Sequence, residues 1–230
     1  MKTIGLIGGL SWHSTVTYYQ IINRYINQKL GASHSAKCIV DSVDFQFIEE
    51  RLAANDLPGA APLLCEAARR LENAGADFII ICSNTMHANF EKIQKSVSIP
   101  LLHIAELTAR RLEDEGIKKI GLLGTKFTME KPFYKEILER SGVEVIVPPE
   151  KDRLKIDEII IYELCREKFP EESKKYFLSV IEELHKKGAR GIILGCTEID
   201  LLIKQRDTSV PLFDTTKIHA EKAAEYALEK

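Results

Sequence analysis

Short apolar runs, each closed by glycine or by a polar turn, alternate along this chain with longer stretches in which apolar side chains recur every three or four positions. Residues 3–9 (TIGLIGG), 38 to about 44, 78–81, 119–123, 142–147 and 192–194 are short and apolar enough to read as buried strands. Between them the spacing predicts helices over about 14–27, where Ile21, Ile22, Tyr25 and Ile26 fall near one face, and over 60–74, stopped by Gly75. Further helices are predicted at 89–94, 105–115, 132–140, 173–187 and 216–228. Strands that alternate with helices in this way predict an α/β fold with parallel sheets wound on both faces.

The pattern also repeats. GADFIIICSNTMH from Gly75 returns as GARGIILGCTEID from Gly188, which lays Ser83 on Cys196. IGLIGG from Ile4 returns as IGLLGT from Ile120, and SIP ending at Pro100 returns as SVP ending at Pro211. Three phrases repeated in one order predict an internal duplication, and so two similar lobes. The expected division is residues 1–99 with 214–230 for the first lobe and 100–213 for the second, because the phrase ending at Pro211 should lead back as the one ending at Pro100 leads out. Residues 152–165, with Ile156, Ile159, Ile160 and Leu164 near helical spacing, have no close counterpart in the first half. This insertion, continued to Pro170, is expected to border a cleft between the lobes and to bring Lys168 toward it.

Composition narrows the partners. A chain of 230 residues with 45% hydrophobic content can bury full cores in two domains. The net charge of −2, with cations and anions interleaved, offers no basic stripe for nucleic acid, and no apolar run is long enough to span a membrane. The five cysteines are scattered, without CxxC or zinc-finger spacing, and the first strand follows directly on Met1-Lys2. A cytoplasmic protein with reduced thiols, no metal and a small-molecule partner is expected.

Open α/β sheets place their chemistry at the carboxyl ends of strands. Cys196 is delivered there by Gly195-Cys196-Thr197-Glu198, at the start of a helix that is expected to lower its pKa. Ser83, with Asn84 and Thr85, occupies the equivalent strand end of the first half, and Gly8 and Gly9 form a turn whose following amides suit an anion. Two such ends across a cleft suit proton transfer at a carbon α to a carboxylate, with an acid on one face and a base on the other. Cys82 continues an apolar run and reads as core; Cys38, Cys65 and Cys165 read as packing. His87 reads either as an acid/base group or as an anchor for the following helix, and Arg51 either as a ligand for an anion or as solvated surface.

Four motifs, GLIGGLSWHSTVTYY, CSNTMH, IIIYELCREKF and LGCTEIDLL in that order, resemble the aspartate/glutamate racemase superfamily, and within it the aspartate racemase branch. The resemblance implies two α/β lobes with the active site in the cleft between them, cofactor-independent proton transfer at an amino-acid α-carbon, and commonly a homodimer. Carried over by motif, it makes Cys196 a catalytic thiol, sets Ser83-Asn84-Thr85 where the family has Cys-Asn-Thr, and matches Lys168 to a carboxylate-binding lysine. Ser83 and Cys196 are thus the expected catalytic pair, with Gly9, Asn84, Thr85, Thr197, Glu198 and Lys168 around the substrate. Ser83 stands where most members have a second thiol, although one branch carries a hydroxyl residue there, and His13 stands where similar proteins often have Glu. Two other readings remain: a one-thiol isomerase or decarboxylase of a dicarboxylate, and a non-catalytic protein that binds a small anion.

Overall fold

The computed structural model describes residues 1–229. In chain order the elements are β1 (Ile4–Gly8), α1 (Trp12–Leu30), β2 (Cys38–Ser42), α2 (Phe45–Ala53), α3 (Ala61–Asn73), β3 (Phe78–Ile81), α4 (Phe90–Gln94), α5 (Ile104–Asp114) and β4 (Lys119–Gly124). They continue with α6 (Lys126–Glu130), α7 (Pro132–Arg140), β5 (Glu144–Ile146), α8 (Glu150–Tyr162), α9 (Glu171–Lys186), β6 (Ile192–Gly195), α10 (Ile199–Leu202), β7 (Leu212–Asp214) and α11 (Thr215–Leu228). The chain divides into two compact units, residues 1–104 with 219–230 and residues 105–218.

The first unit is built on a parallel sheet in the order β2-β1-β3, with Ile4 opposite both Cys38 and Phe78. One face presents Ile4, Leu6, Phe78, Ile80 and Cys82. It is covered by Tyr18, Ile22 and Ile26 of α1 and by Ala220, Ala223, Ala224 and Ala227 of α11, all fully buried. Removing one such isoleucine side chain from water contributes about 2 kcal/mol, and the alanine row lets α11 lie close to the strands. Helix α3 packs against the same three strands, burying Leu64, Ala67, Ala68 and Leu71. Helix α2 begins where it does because the Asp44 carboxylate accepts the Gln46 amide. After β1 the chain turns at Gly9, whose φ of +77 and whose distance of 2.1 Å from a built Cβ to the Val43 carbonyl oxygen admit no side chain.

The second unit repeats the plan. Its sheet runs β5-β4-β6-β7, all parallel, so β5-β4-β6 retraces β2-β1-β3. The fourth strand also has a trace in the first unit, a single parallel bridge between Ile79 and Leu101, just after the repeated Ser-Ile-Pro. Leu122, Leu123, Ile192 and Ile193 are buried with Phe177, Ile181 and Leu184 of α9 and with Ile156, Ile159 and Ile160 of α8. The inserted segment is therefore a helix with an apolar face that packs on β4, and it starts at Glu150, slightly before the sequence expectation. Among the described residues no helix is long and apolar enough to cross a membrane.

Candidate active site

In the first unit the strand-end residues gather at the carboxyl edge of β1 and β3. Cys82 donates its amide to the Ile7 carbonyl at 3.0 Å, and its own carbonyl accepts the Ser14 hydroxyl at 2.8 Å, so the start of α1 is tied to the loop that follows β3. Ser83 comes next, partly exposed, with its amide on the Ile81 carbonyl at 2.8 Å and its Oγ accepting the Met86 amide at a long 3.4 Å. Asn84 and Thr85 are buried and lead into a single 3-10 turn, Thr85–Asn89. The Gly9 amide donates to Thr15 Oγ1 at 2.9 Å, so Gly9 holds the turn onto α1. Cys82 is fully buried in the apolar core, where burial pushes its thiol well up, as befits a packing residue.

In the second unit β6 ends at Gly195, where a built Cβ would lie 2.9 Å from the Leu123 carbonyl oxygen of the neighbouring strand; the residue before the thiol therefore has to be small. Cys196 is partly exposed and donates its Sγ–H to Glu198 Oε2 at 3.0 Å. The Thr197 hydroxyl donates to the same oxygen at 2.5 Å, and Glu198 itself is buried. Burial, then the Glu198 charge, push the Cys196 thiol well above its ordinary range. The sequence expectation of a thiol acidified by a helix N-terminus is therefore corrected. Helix α10 is a single turn of four residues, and a carboxylate stands against the sulfur.

Cys165, read from sequence as packing, lies in the turn Leu164–Arg166 that packs against α10, and its thiol adds to the upward pressure on Cys196. It is only partly buried. Its amphipathic surroundings carried no sign of this, because the neighbourhood is made by the inserted helix folding back. Lys168 follows Glu167, whose φ of 55 turns the chain, and its amide closes on the Glu163 carbonyl at 3.0 Å. Its side chain is exposed. Arg51 is exposed on α2. Asp214, at the end of β7, is pushed up to about 6 by burial and by the Asp200 charge, while it accepts the first amides of α11.

His87 is buried and engaged through both ring nitrogens. Its Nδ1 lies 2.6 Å from the Ser83 carbonyl, its Nε2 accepts the Ile104 amide at 3.2 Å, and burial with the nearby His103 and His219 rings holds it neutral. His13, on the first turn of α1, lies tilted against Trp12 with ring centroids 3.6 Å apart.

Each unit is thus a parallel sheet that carries a small hydroxyl- or thiol-bearing loop at one strand end, the plan of a two-lobed α/β protein. The chain belongs to the Asp/Glu/hydantoin racemase family, which it matches over residues 7–223. It is 27% identical to the broad specificity amino-acid racemase RacX of Bacillus subtilis, over 93% of this chain and 92% of that one. Among solved structures it is similar to a Yersinia pestis protein assigned provisionally to the Asp/Glu racemases, at 50% identity with a TM-score of 0.92, and to an aspartate racemase homologue from Pyrococcus horikoshii OT3, at 35% identity with a TM-score of 0.86; both comparisons cover 100% of both chains. The two-lobed α/β fold is also that of the glutamate racemases of Aquifex pyrophilus and Francisella tularensis.

Proposed function

We propose that this protein is a cofactor-independent racemase of an acidic or similar amino acid, in which Cys196 serves one face of the substrate α-carbon and Ser83 the other. The observation that carries the reading is the Cys196 thiol at the end of β6, donating to a buried Glu198 carboxylate. Because burial and Glu198 raise the thiol pKa, the resting group is the protonated thiol, suited to deliver a proton to a carbanion. In the other direction the Sγ–H passes its proton to the Glu198 carboxylate along the existing hydrogen bond. The resulting thiolate takes the α-proton, the carbanion is reprotonated from the Ser83 side, by the hydroxyl or by solvent water, and the proton left on Glu198 returns through solvent to the oxygen that gave one up. Asn84 and Thr85 offer donors for the substrate carboxylate, and Lys168 a cation, while Thr197 steadies Glu198; the donors would stabilise the negative charge that develops as the α-proton leaves.

The thiols suit a reducing cytoplasm, since none of the five cysteines is in a disulfide. Resemblance to the family supports a homodimer and pyridoxal-independent chemistry. Deuterium incorporation from solvent at the α-carbon of each enantiomer, across a panel that includes aspartate and glutamate, tests the reading. Exchange with inversion that disappears in Cys196→Ala is the expected result; full exchange in Cys196→Ala would remove the thiol from the mechanism. A one-thiol isomerase or decarboxylase of a dicarboxylate is the second reading, favoured by the serine at position 83, and it would give product without inversion in the same assay.

A further inference from the structure

His87 holds the Ser83 loop through a fixed tautomer. The Ile104 amide donates to Nε2, so the neutral ring carries its proton on Nδ1 and donates it to the Ser83 carbonyl at 2.6 Å. Ile104 is the last residue of the first unit before the chain crosses to the second, and His219 is the residue at which it returns. His219 is tied in the same manner: its Nδ1 lies 2.9 Å from the Tyr18 hydroxyl and its Nε2 lies 3.0 Å from the Leu102 carbonyl. The two rings stand 5.5 Å apart, centroid to centroid. Ser83 has few other restraints, since its amide closes a tight turn and its Oγ accepts one long bond.

We infer that His87 is a positioning residue for the Ser83 side of the reaction, its Nδ1–H holding the Ser83 backbone, and hence Oγ, against the segment at Leu102 to Ile104. The inference rests on the reading that Ser83 serves one face of the substrate. The two ring nitrogens can be separated by substitution. His87→Asn places an amide N–H near the Nδ1 position and keeps the donor to Ser83, whereas His87→Gln places a carbonyl oxygen near Nε2 and keeps the acceptor for Ile104. Each variant loses one buried hydrogen bond, so their melting temperatures should fall alike.

The readout is α-proton exchange from each enantiomer. His87→Gln should lower the exchange rate by about tenfold or more for the enantiomer whose α-proton faces Ser83, with KM little changed, because small misplacements of a reacting group are costly, while His87→Asn should stay within about threefold of wild type. Equal losses in both variants, or in both enantiomers, would make His87 a core residue only and overturn the inference. Ser83→Ala, run alongside, separates the failures. No enantiomer-specific loss of exchange there removes Ser83 from the chemistry, and His87 with it; an enantiomer-specific loss there, without an Asn/Gln difference, removes His87 alone. If neither His87 variant folds, histidine nitrogen NMR of the wild type decides: an Nδ1–H ring that stays neutral at pH 6 supports the arrangement, and an Nε2–H or charged ring overturns it.

Discussion

Acidification from pH 7 to pH 5 should destabilise the first unit by several kcal/mol, through three histidines. His87, His103 and His219 lie together beside Phe90, all buried, with centroids 4.8 Å apart for His87 and His103. Burial holds His103 down to about 4 and His219 down to about 3, and His87 well below the ordinary range. An unfolded chain protonates its histidines near pH 6.5, so below that value it binds protons that the folded unit refuses, and acid favours unfolding. At pH 5 His103 and His219 then cost about 2 kcal/mol each, about 4 together, and His87 adds in the same direction. Asp214, whose pKa is raised to about 6, works the other way in the second unit, gaining about 1 kcal/mol as it protonates before its unfolded counterpart. A loss on this scale is comparable to the whole stability of a typical domain, about 5–15 kcal/mol. Urea unfolding at pH 7, 6 and 5, followed by the fluorescence of Trp12, the single tryptophan and a residue of the first unit, measures it. His103→Leu should remove about 2 kcal/mol of the dependence, whatever it does to stability at pH 7. A wild-type stability that changes by less than about 1 kcal/mol over this range, or a slope untouched in His103→Leu, would refute the reasoning.

Cys196 should alkylate with iodoacetamide at pH 7.5 at least about tenfold more slowly than a free thiol of pKa about 8.5, and Glu198→Gln should speed it; peptide mapping that finds Cys196 the fastest of the five thiols would contradict this. Gly9→Ala should cost more than about 2 kcal/mol, because the new methyl meets the Val43 carbonyl at a positive φ, and an unchanged melting temperature would show that the turn relaxes. Lys168→Glu should raise KM for a dicarboxylic amino acid with little effect on a neutral one, and equal small effects on both would leave Lys168 as surface. Ser83→Cys should raise two-way exchange, since it supplies a group far more acidic than a hydroxyl; exchange no faster than wild type would count against Ser83 as the opposite-face group.

The strands, the helices and the doubled plan were legible in the amino-acid order, because a buried parallel strand and an amphipathic helix are written in local periodicity, and two phrases at equivalent strand ends leave the same glycine and small-residue pattern. Gly195 before Cys196 and the apolar setting of Cys82 could be read in that way, and the family motifs singled out Ser83, Thr197, Glu198 and Lys168 as candidates. What tertiary structure alone decided is the state of those groups. Local order suggested an acidified thiol at a helix start; instead a one-turn helix left little dipole, and the carboxylate two residues on was folded back against the sulfur. Cys165 reached the neighbourhood of Cys196 only because the inserted helix returns its following turn to α10. His87, His103 and His219 are far apart in sequence and meet because the chain leaves and re-enters the first unit at one place. Desolvation and charge depend on what packs around a group from every side, and no local pattern of residues records that.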